Sequence, residues 1–331
     1  MLDRSTWTRT ARVSRTSYPI ADAGKVLDLF ASGATVVLQA LHRWWPPVAR
    51  FCRDLETALT HPVQANAYLT PAGATGLAPH HDTHDVFVLQ VAGTKSWLVR
   101  EPAVTDPLAH HRSDHDEAAA RPVLFEADLG PGDALYLPRG FVHSATAQEG
   151  ASLHLTIGVL ALTVADAVRA LVDEALEDPA FRASLPAGAL ADGATAAAAV
   201  AEVPARLAAW LAGSDAAAVG ERLADRFWSG RTPLLTGQLL QVAGLDRIGD
   251  GTVVRRRPLA ACRVKVDDGE TVVALGDRDV HLPAAVAPAV ERLAGGQPVP
   301  VADLGDLLDA GSRVVLVRRL VRDGLLEVVG G

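Results

Sequence analysis

Cysteine is almost missing from this chain: among 331 residues only Cys52 and Cys262 occur, far apart and in no CxxC pair. That disfavours a disulfide scaffold and a thiolate metal site, and it fits a reducing cytoplasm. Long apolar runs are missing too. Each is broken by a charge, Gly or Pro well before the roughly 18 residues needed to span a bilayer, and Met1 to Ile20 holds Arg4, Arg9, Arg12 and Arg15 without an apolar centre. Neither a membrane span nor a secretion signal is expected. Positive charge is also short, with 31 basic against 39 acidic residues and a net charge of -8. A surface devoted to nucleic acid is disfavoured. Lysine is scarce among the basic residues, at Lys25, Lys95 and Lys265 only. With arginine and alanine abundant, the composition looks like codon bias in a GC-rich genome, and a lysine kept at one position carries slightly more information than usual.

What is present is core material, 49% hydrophobic and 21% charged residues, enough for two or three folded domains. Residues 22–60 read as helical, with Val26, Leu27 and Phe30, then Val48, Phe51, Leu55 and Leu59, near the spacing of a buried stripe. From His61 to about Leu162 the pattern changes to short alternating runs separated by Gly, Pro and Asp: 63–70, 86–91, 95–99, 123–127, 134–137, 142–147 and 152–160. Strands at this spacing predict an antiparallel sandwich or barrel. Helical spacing returns at Thr163, with a looser Ala-rich stretch at 187–201. The tail from Thr232 mixes short strands with helices at 284–293, 301–308 and 312–322 and ends as a winged helix does. The predicted organisation is α+β: an N-terminal helical part at 1–60, a β-core at 61–162, a helical segment at 163–231 and a winged-helix domain at 232–331.

The chemistry concentrates in Ala78-Pro79-His80-His81-Asp82-Thr83-His84-Asp85. If this begins a strand, His80 and Asp82 share a face and His81 takes the other. One strand then presents an imidazole and a carboxylate together. A third ligand is offered by Pro138-Arg139-Gly140-Phe141-Val142-His143, where a Gly-Asp turn, a short strand and a Pro-Arg-Gly turn deliver His143 to the next strand. Two histidines and a carboxylate form the facial triad that leaves coordination positions open on a non-haem Fe(II). HxD alone is weak; HxD, a hairpin, then GD and PxGFxH in a β-rich region is far more specific.

These motifs, together with Asn66-Ala67-Tyr68-Leu69-Thr70-Pro71, Phe87-Val88-Leu89-Gln90-Val91-Ala92-Gly93-Thr94-Lys95-Ser96-Trp97 and Ser152-Leu153-His154-Leu155-Thr156, resemble the Jumonji C-type oxygenases of the ribosomal oxygenase group. The resemblance is dense over 61–160 and looser beyond. It implies a cupin core, a double-stranded β-helix or jelly roll, carrying an Fe(II)- and 2-oxoglutarate-dependent dioxygenase that uses O2 to hydroxylate a His or Arg side chain of a ribosomal protein. By the same resemblance His80, Asp82 and His143 ligate Fe(II), Lys95 binds the distal carboxylate of 2-oxoglutarate, and Asn66 lines the cosubstrate pocket, with Tyr68 and His154 beside it. The helical segment corresponds to a dimerisation region, and its own apolar content predicts a homodimer. The leading segment, 60 residues, is shorter than the family would suggest.

Physical reading agrees with the roles of Lys95 and Asn66. Lys95 opens a strand with Trp97 and Val99 on its own face, and a buried ammonium needs a charged partner. Asn66, Tyr68 and Thr70 form a polar stripe that an apolar core would not choose. The bland alternatives are a cupin holding a redox-silent metal, an oxygenase of a peptide or small metabolite, and a non-catalytic cupin and winged-helix regulator that senses a ligand. His81 and His84 read as rim residues, and His110, His111 and His115 as solvated histidines of a loop without a strand to fix them. Arg255-Arg256-Arg257 and the last helix do not outweigh the acidic charge, so nucleic-acid binding is not expected.

Overall fold

The computed structural model describes residues 6–13 and 16–330. The chain divides into two compact units, Met1–Ala161 and Leu162–Gly331. Among the described residues no helix is long and apolar enough to cross a membrane.

The first unit begins with an antiparallel hairpin, β1 (Thr8–Val13) and β2 (Thr16–Ala21), followed by α1 (Ala23–Ala31), β3 (Val36–Leu38) and α2 (Pro46–Leu59). The expected helical part at 1–60 is therefore corrected: it holds a hairpin and a sheet strand as well as helices, and its residues 1–5 lie outside the described residues. Gly33, at a φ of +103°, ends the first helical stretch, and the β-branched Thr35-Val36-Val37 run turns the chain into a strand. Helix α2 starts on Pro46 and Pro47 at its first turn, where a missing N–H costs nothing. Its buried side is Val48, Cys52 and Leu55, whereas Phe51 and Leu59, expected in the same stripe, are exposed.

The β-rich core follows as β4 (Val63–Thr70), β5 (Asp85–Ala92), β6 (Lys95–Pro102), α3 (His115–Ala120), β7 (Val123–Leu129), β8 (Ala134–Leu137), β9 (Phe141–Ala147) and β10 (Ser152–Val159). Two antiparallel sheets result, ordered β3-β4-β10-β5-β8 and β7-β6-β9. Alternation decides which face goes where. Val63, Ala65, Ile157 and Val159 pack with Val48 and Cys52 of α2 on the outside of the larger sheet. Val86 and Val88 point the other way, into a second core with Trp97, Val99, Leu129, Leu137 and Ala145. The tight β5–β6 turn requires Gly93, at a φ of +64°, since a Cβ there would lie 2.2 Å from the Ala151 carbonyl oxygen.

The second unit continues with α4 (Val164–Ala175), α5 (Pro179–Arg182), α6 (Gly193–Val200), α7 (Val203–Ala212), α8 (Ala216–Ser229) and α9 (Gln238–Ala243). The Ala-rich stretch is thus partly helical, with Asp192 accepting from the Thr195 N–H to cap α6. Then come β11 (Val253–Arg256), β12 (Arg263–Asp267), β13 (Glu270–Ala274), β14 (Asp279–Pro283), α10 (Ala287–Ala294), β15 (Val299–Pro300), α11 (Ala310–Arg322) and β16 (Leu326–Val328). They form two three-stranded sheets, β15-β11-β16 and β12-β13-β14. Where a helix was expected at 301–308 there is only one 3-10 turn at Val301–Leu304. The basic run is internal structure: Arg255 and Arg257 share Glu327 at 2.7 and 3.7 Å, and Arg257 donates to the Thr236 carbonyl.

Candidate metal centre

His80 does not begin a continuous strand, which corrects the expectation for the HxD segment. It forms an isolated bridge to His143 on β9, and regular pairing resumes only at Asp85. The bridge nonetheless has the consequence a strand would have had. His143 N–H donates to the His80 carbonyl at 2.8 Å and His80 N–H to the His143 carbonyl at 3.2 Å. Residues exchanging both hydrogen bonds project their side chains on one face, and the two imidazoles lie 4.5 Å apart between centroids. Asp82 brings its carboxylate to 3.7 Å from Nε2 of His143. One ligand atom from each of His80, Asp82 and His143 lies within 4.8 Å of the others.

The rings are also held the right way round for a metal. Nδ1 of His80 meets the Ala78 carbonyl at 2.8 Å, and Nδ1 of His143 meets the Phe141 carbonyl at 3.1 Å. A carbonyl only accepts, so each Nδ1 carries the proton and each Nε2 keeps its lone pair. Burial, reinforced by the neighbouring His80 and opposed by Asp82, pushes the His143 imidazole down to about 4, which keeps it neutral and able to ligate near neutrality. The donor set fits a divalent transition metal, and the residues present accommodate one.

These three residues line a cavity of about 200 Å³ between the sheets. Lys95 lines it too. His143 pairs with Val99, and Lys95 lies four residues along β6 from Val99, about 13 Å at strand spacing. Lys95 is only 2% exposed, and its ammonium donates to Thr70 Oγ1 at 3.0 Å, which in turn meets Thr35 Oγ1 at 3.1 Å. Among the described residues no carboxylate pairs with it, and burial lowers its pKa to about 8. His154 stacks on Tyr68 at 5.0 Å and meets the Trp97 ring edge-on at 5.4 Å. Burial first, then the Lys95 and His143 charges, push His154 down to about 3. His154 Nδ1 and Trp97 Nε1 are buried without a partner in the ligand-free protein. An ammonium without a carboxylate and two orphaned polar nitrogens around one cavity suit a small acid.

The other expectations divide. Tyr68, Lys95 and His154 line the cavity, while Asn66 does not; its Oδ1 accepts from the Ala40 N–H at 2.9 Å, tying β4 to the segment before α2. His81 is buried, not a rim residue, because Nε2 meets the His111 carbonyl at 3.2 Å and its backbone N–H donates to Ser113 Oγ. The supposed loop at 109–120 contains α3, capped by Asp114. Its His110 and His115 are exposed as expected, but His111 is half-buried with Nδ1 accepting from the Leu108 N–H, and His115 Nδ1 meets the Pro79 carbonyl. Thr35 and Thr156 line the cavity and were not anticipated. Thr35 had no local signal, since its partner Thr70 is 35 residues away.

The paired antiparallel sheets and the two-histidine, one-carboxylate cluster between them define a cupin-type metal-site fold, and the family model of the JmjC domain matches residues 41–167. Residues 41–167 are thus similar to a JmjC domain, and the chain is similar to the ribosomal oxygenases. It is 36% identical over 167 residues to ribosomal oxygenase 2 of Mus musculus, a match covering 48% of this chain and 36% of that protein. With the bifunctional lysine-specific demethylase and histidyl-hydroxylase NO66 of Dictyostelium discoideum it shares 38% over 135 residues, covering 39% and 26%. The chain thus matches about a third of the length of these curated relatives. YcfD, a ribosomal oxygenase from Escherichia coli solved in complex with cobalt and 2-oxoglutarate, has the same fold, with a TM-score of 0.54 at 20% identity over 97% of this chain and 86% of that one.

Proposed function

We propose that the protein is an Fe(II)- and 2-oxoglutarate-dependent dioxygenase that hydroxylates a side chain of a polypeptide, specifically His or Arg of a ribosomal protein. The observation that carries this reading is one cavity lined both by the His80, Asp82 and His143 cluster and by a buried ammonium that no carboxylate among the described residues pairs with. The names of the relatives, ribosomal oxygenases and a histidyl-hydroxylase, supply the substrate class.

In this reading His80, Asp82 and His143 hold Fe(II). The bound metal and 2-oxoglutarate together supply the oxidant that places one atom of O2 on a substrate carbon. Everything else is done by the chain. Lys95, steadied by Thr70, pairs with the distal carboxylate of 2-oxoglutarate, and Tyr68 and His154 wall the cosubstrate, with Asn66 fixing the strand behind them. Val86, Val88 and Trp97 exclude water from the chamber. The second unit presents Val164, Val168, Val172 and Leu176 as an exposed stripe along α4, at the four-residue spacing of a helix face. That stripe supports a homodimer through the helical segment 163–231, with a winged-helix domain at 232–331.

The test is mass spectrometry of ribosomal proteins from wild-type and deletion strains. A gain of one oxygen atom on a single His or Arg, present only in the wild type and restored by purified protein with Fe(II) and 2-oxoglutarate, is expected. Succinate release without any modified polypeptide would move the substrate to a small metabolite.

A further inference from the structure

The metal cluster is assembled from two separate chain segments, 79–85 and 138–143, and besides the reciprocal His80–His143 backbone pair, hydrogen bonds from the second segment reach one carboxylate outside the cluster. Asp85 Oδ1 accepts from the Arg139 backbone N–H and from the Tyr136 hydroxyl, both at 3.1 Å. Asp85 Oδ2 lies 3.8 Å from the Arg139 guanidinium. One residue further on, the Gly140 N–H donates to the Asp82 carbonyl at 2.9 Å. Two consecutive amides of the Pro-Arg-Gly turn are thus spent on the segment that carries His80 and Asp82.

The other side of the turn is closed as well. Gly140, at a φ of +87°, passes so near the segment that follows β6 that a Cβ would lie 2.0 Å from the Val104 carbonyl oxygen, and its own carbonyl accepts from the Ala103 N–H. The Arg139 guanidinium continues to Asp106 at 2.8 Å. The turn cannot slide without breaking the Asp85 bonds, and a slide would carry His143 relative to Asp82.

The geometry points to Asp85 as a positioning residue: a carboxylate that touches no metal but sets the distance between Asp82 and His143 by clamping the turn that delivers His143. It rests on the reading of His80, Asp82 and His143 as ligands. Asp106 is an accessory, being well exposed, and exposed ion pairs contribute little.

The deciding measurement is Co(II) titration of the full chain, followed by visible absorption, in parent, Asp85→Ala and Asp85→Asn, with thermal unfolding recorded alongside. Asp85→Ala strands the Arg139 amide and the Tyr136 hydroxyl and is expected to weaken Co(II) binding by roughly tenfold or more, the usual scale for groups that orient ligands. The visible band should also change shape as the coordination loosens. Asp85→Asn keeps an acceptor for the amide and should recover most of the affinity. A folded Asp85→Ala that binds Co(II) within about twofold of the parent, with only its unfolding temperature lowered, overturns the inference while leaving the metal centre standing. If the parent itself takes up no Co(II), the metal reading fails and this inference with it. Should Asp85→Ala not fold, Asp85→Ser decides: its side chain is too short to reach the Arg139 amide, so a severalfold loss of Co(II) affinity with an altered band supports the role, and an unchanged titration overturns it.

Discussion

The two units bury side chains of opposite character. In the second, the main cluster is apolar, with Val254, Leu293, Leu304, Val317, Leu320, Leu325 and Leu326 fully buried together, and the buried polar side chains are few: Arg231, Arg257 and Thr271. In the first, the space between the sheets holds Val88 and Val99 but also buried Thr70, Gln90, Lys95, His143, Ser152 and His154. Burying a polar group without full pairing is unfavourable by several kcal/mol in apolar surroundings. A fold that needed only stability would fill both interiors in the same way. The first unit does not, and the excess polarity is where the chemistry lies.

The sharpest way to test that contrast is to remove the cluster. His80→Ala, Asp82→Ala and His143→Ala should each abolish succinate formation, since each deletes one of three protein ligands, while circular dichroism stays native. His81→Ala should leave turnover but lower stability, because its ring ties the segment to His111.

Next in size is Lys95→Met. Losing one partner of a buried charge pair typically costs about 3–5 kcal/mol, so 2-oxoglutarate affinity by calorimetry should fall about a hundredfold or more, with Co(II) affinity nearly unchanged. The free protein should respond in the opposite sense. An ammonium whose pKa is driven from 10.5 to about 8 costs the ligand-free fold up to about 3 kcal/mol, so Lys95→Met should raise its unfolding midpoint.

Leu320→Ala probes the other interior. Truncating a fully buried leucine costs roughly 2–5 kcal/mol, and that loss should appear in denaturant unfolding with no change in Co(II) or 2-oxoglutarate binding. A large loss of metal affinity in this variant would break the comparison.

The pH response follows from the same polar interior. Between about 8 and 10.5 the unfolded chain keeps a proton on Lys95 that the folded chain has lost, so ligand-free stability from this group rises with pH across that window and its penalty is complete below it. His154 works on the acid side. Its folded value near 3 against 6.5 unfolded means the unfolded chain gains a proton first, and stability falls as pH drops from 6.5 toward 3. Urea midpoints of parent, Lys95→Met and His154→Phe at pH 4, 7 and 10 separate the two.

The smallest expected effect on activity is at the α4 stripe. Val168→Asp should convert a dimer to a monomer in sedimentation at micromolar concentration while each protomer still binds Co(II). An unchanged sedimentation coefficient would remove the stripe as an interface.

How far the chain could be read in advance depended on range. Strands 63–70 and 134–137 were legible to the residue because alternation and flanking Pro or Gly act locally, and His80, Asp82 and His143 were brought together as their spacing suggested. The shared facing in the HxD segment was argued on the condition that a strand begins there, and the structure supplies that facing by one reciprocal backbone pair without strand regularity. β3 was missed because helical spacing on both sides masked a three-residue strand. Asn66 was assigned to the cavity from the resemblance and from the face it shares with Tyr68 and Thr70, whereas its amide oxygen accepts from the Ala40 N–H, a contact set by the tertiary fold. Asp85 drew no notice, since nothing in sequence announces a bond to an amide 54 residues away.

Trp97 gives the chamber its own optical readout. Its indole is 5% exposed and lies 6.0 Å from both the His143 ring and the Lys95 ammonium. Of the six tryptophans in the chain, Trp44 and Trp45 are exposed and emit as indole in water does. Emission from Trp97 should be blue-shifted by its apolar neighbours and quenched when a paramagnetic ion occupies the cluster. A cosubstrate titration can therefore be followed by intrinsic fluorescence, without a label and without waiting for turnover, and Trp97→Phe identifies the share of the signal that comes from inside.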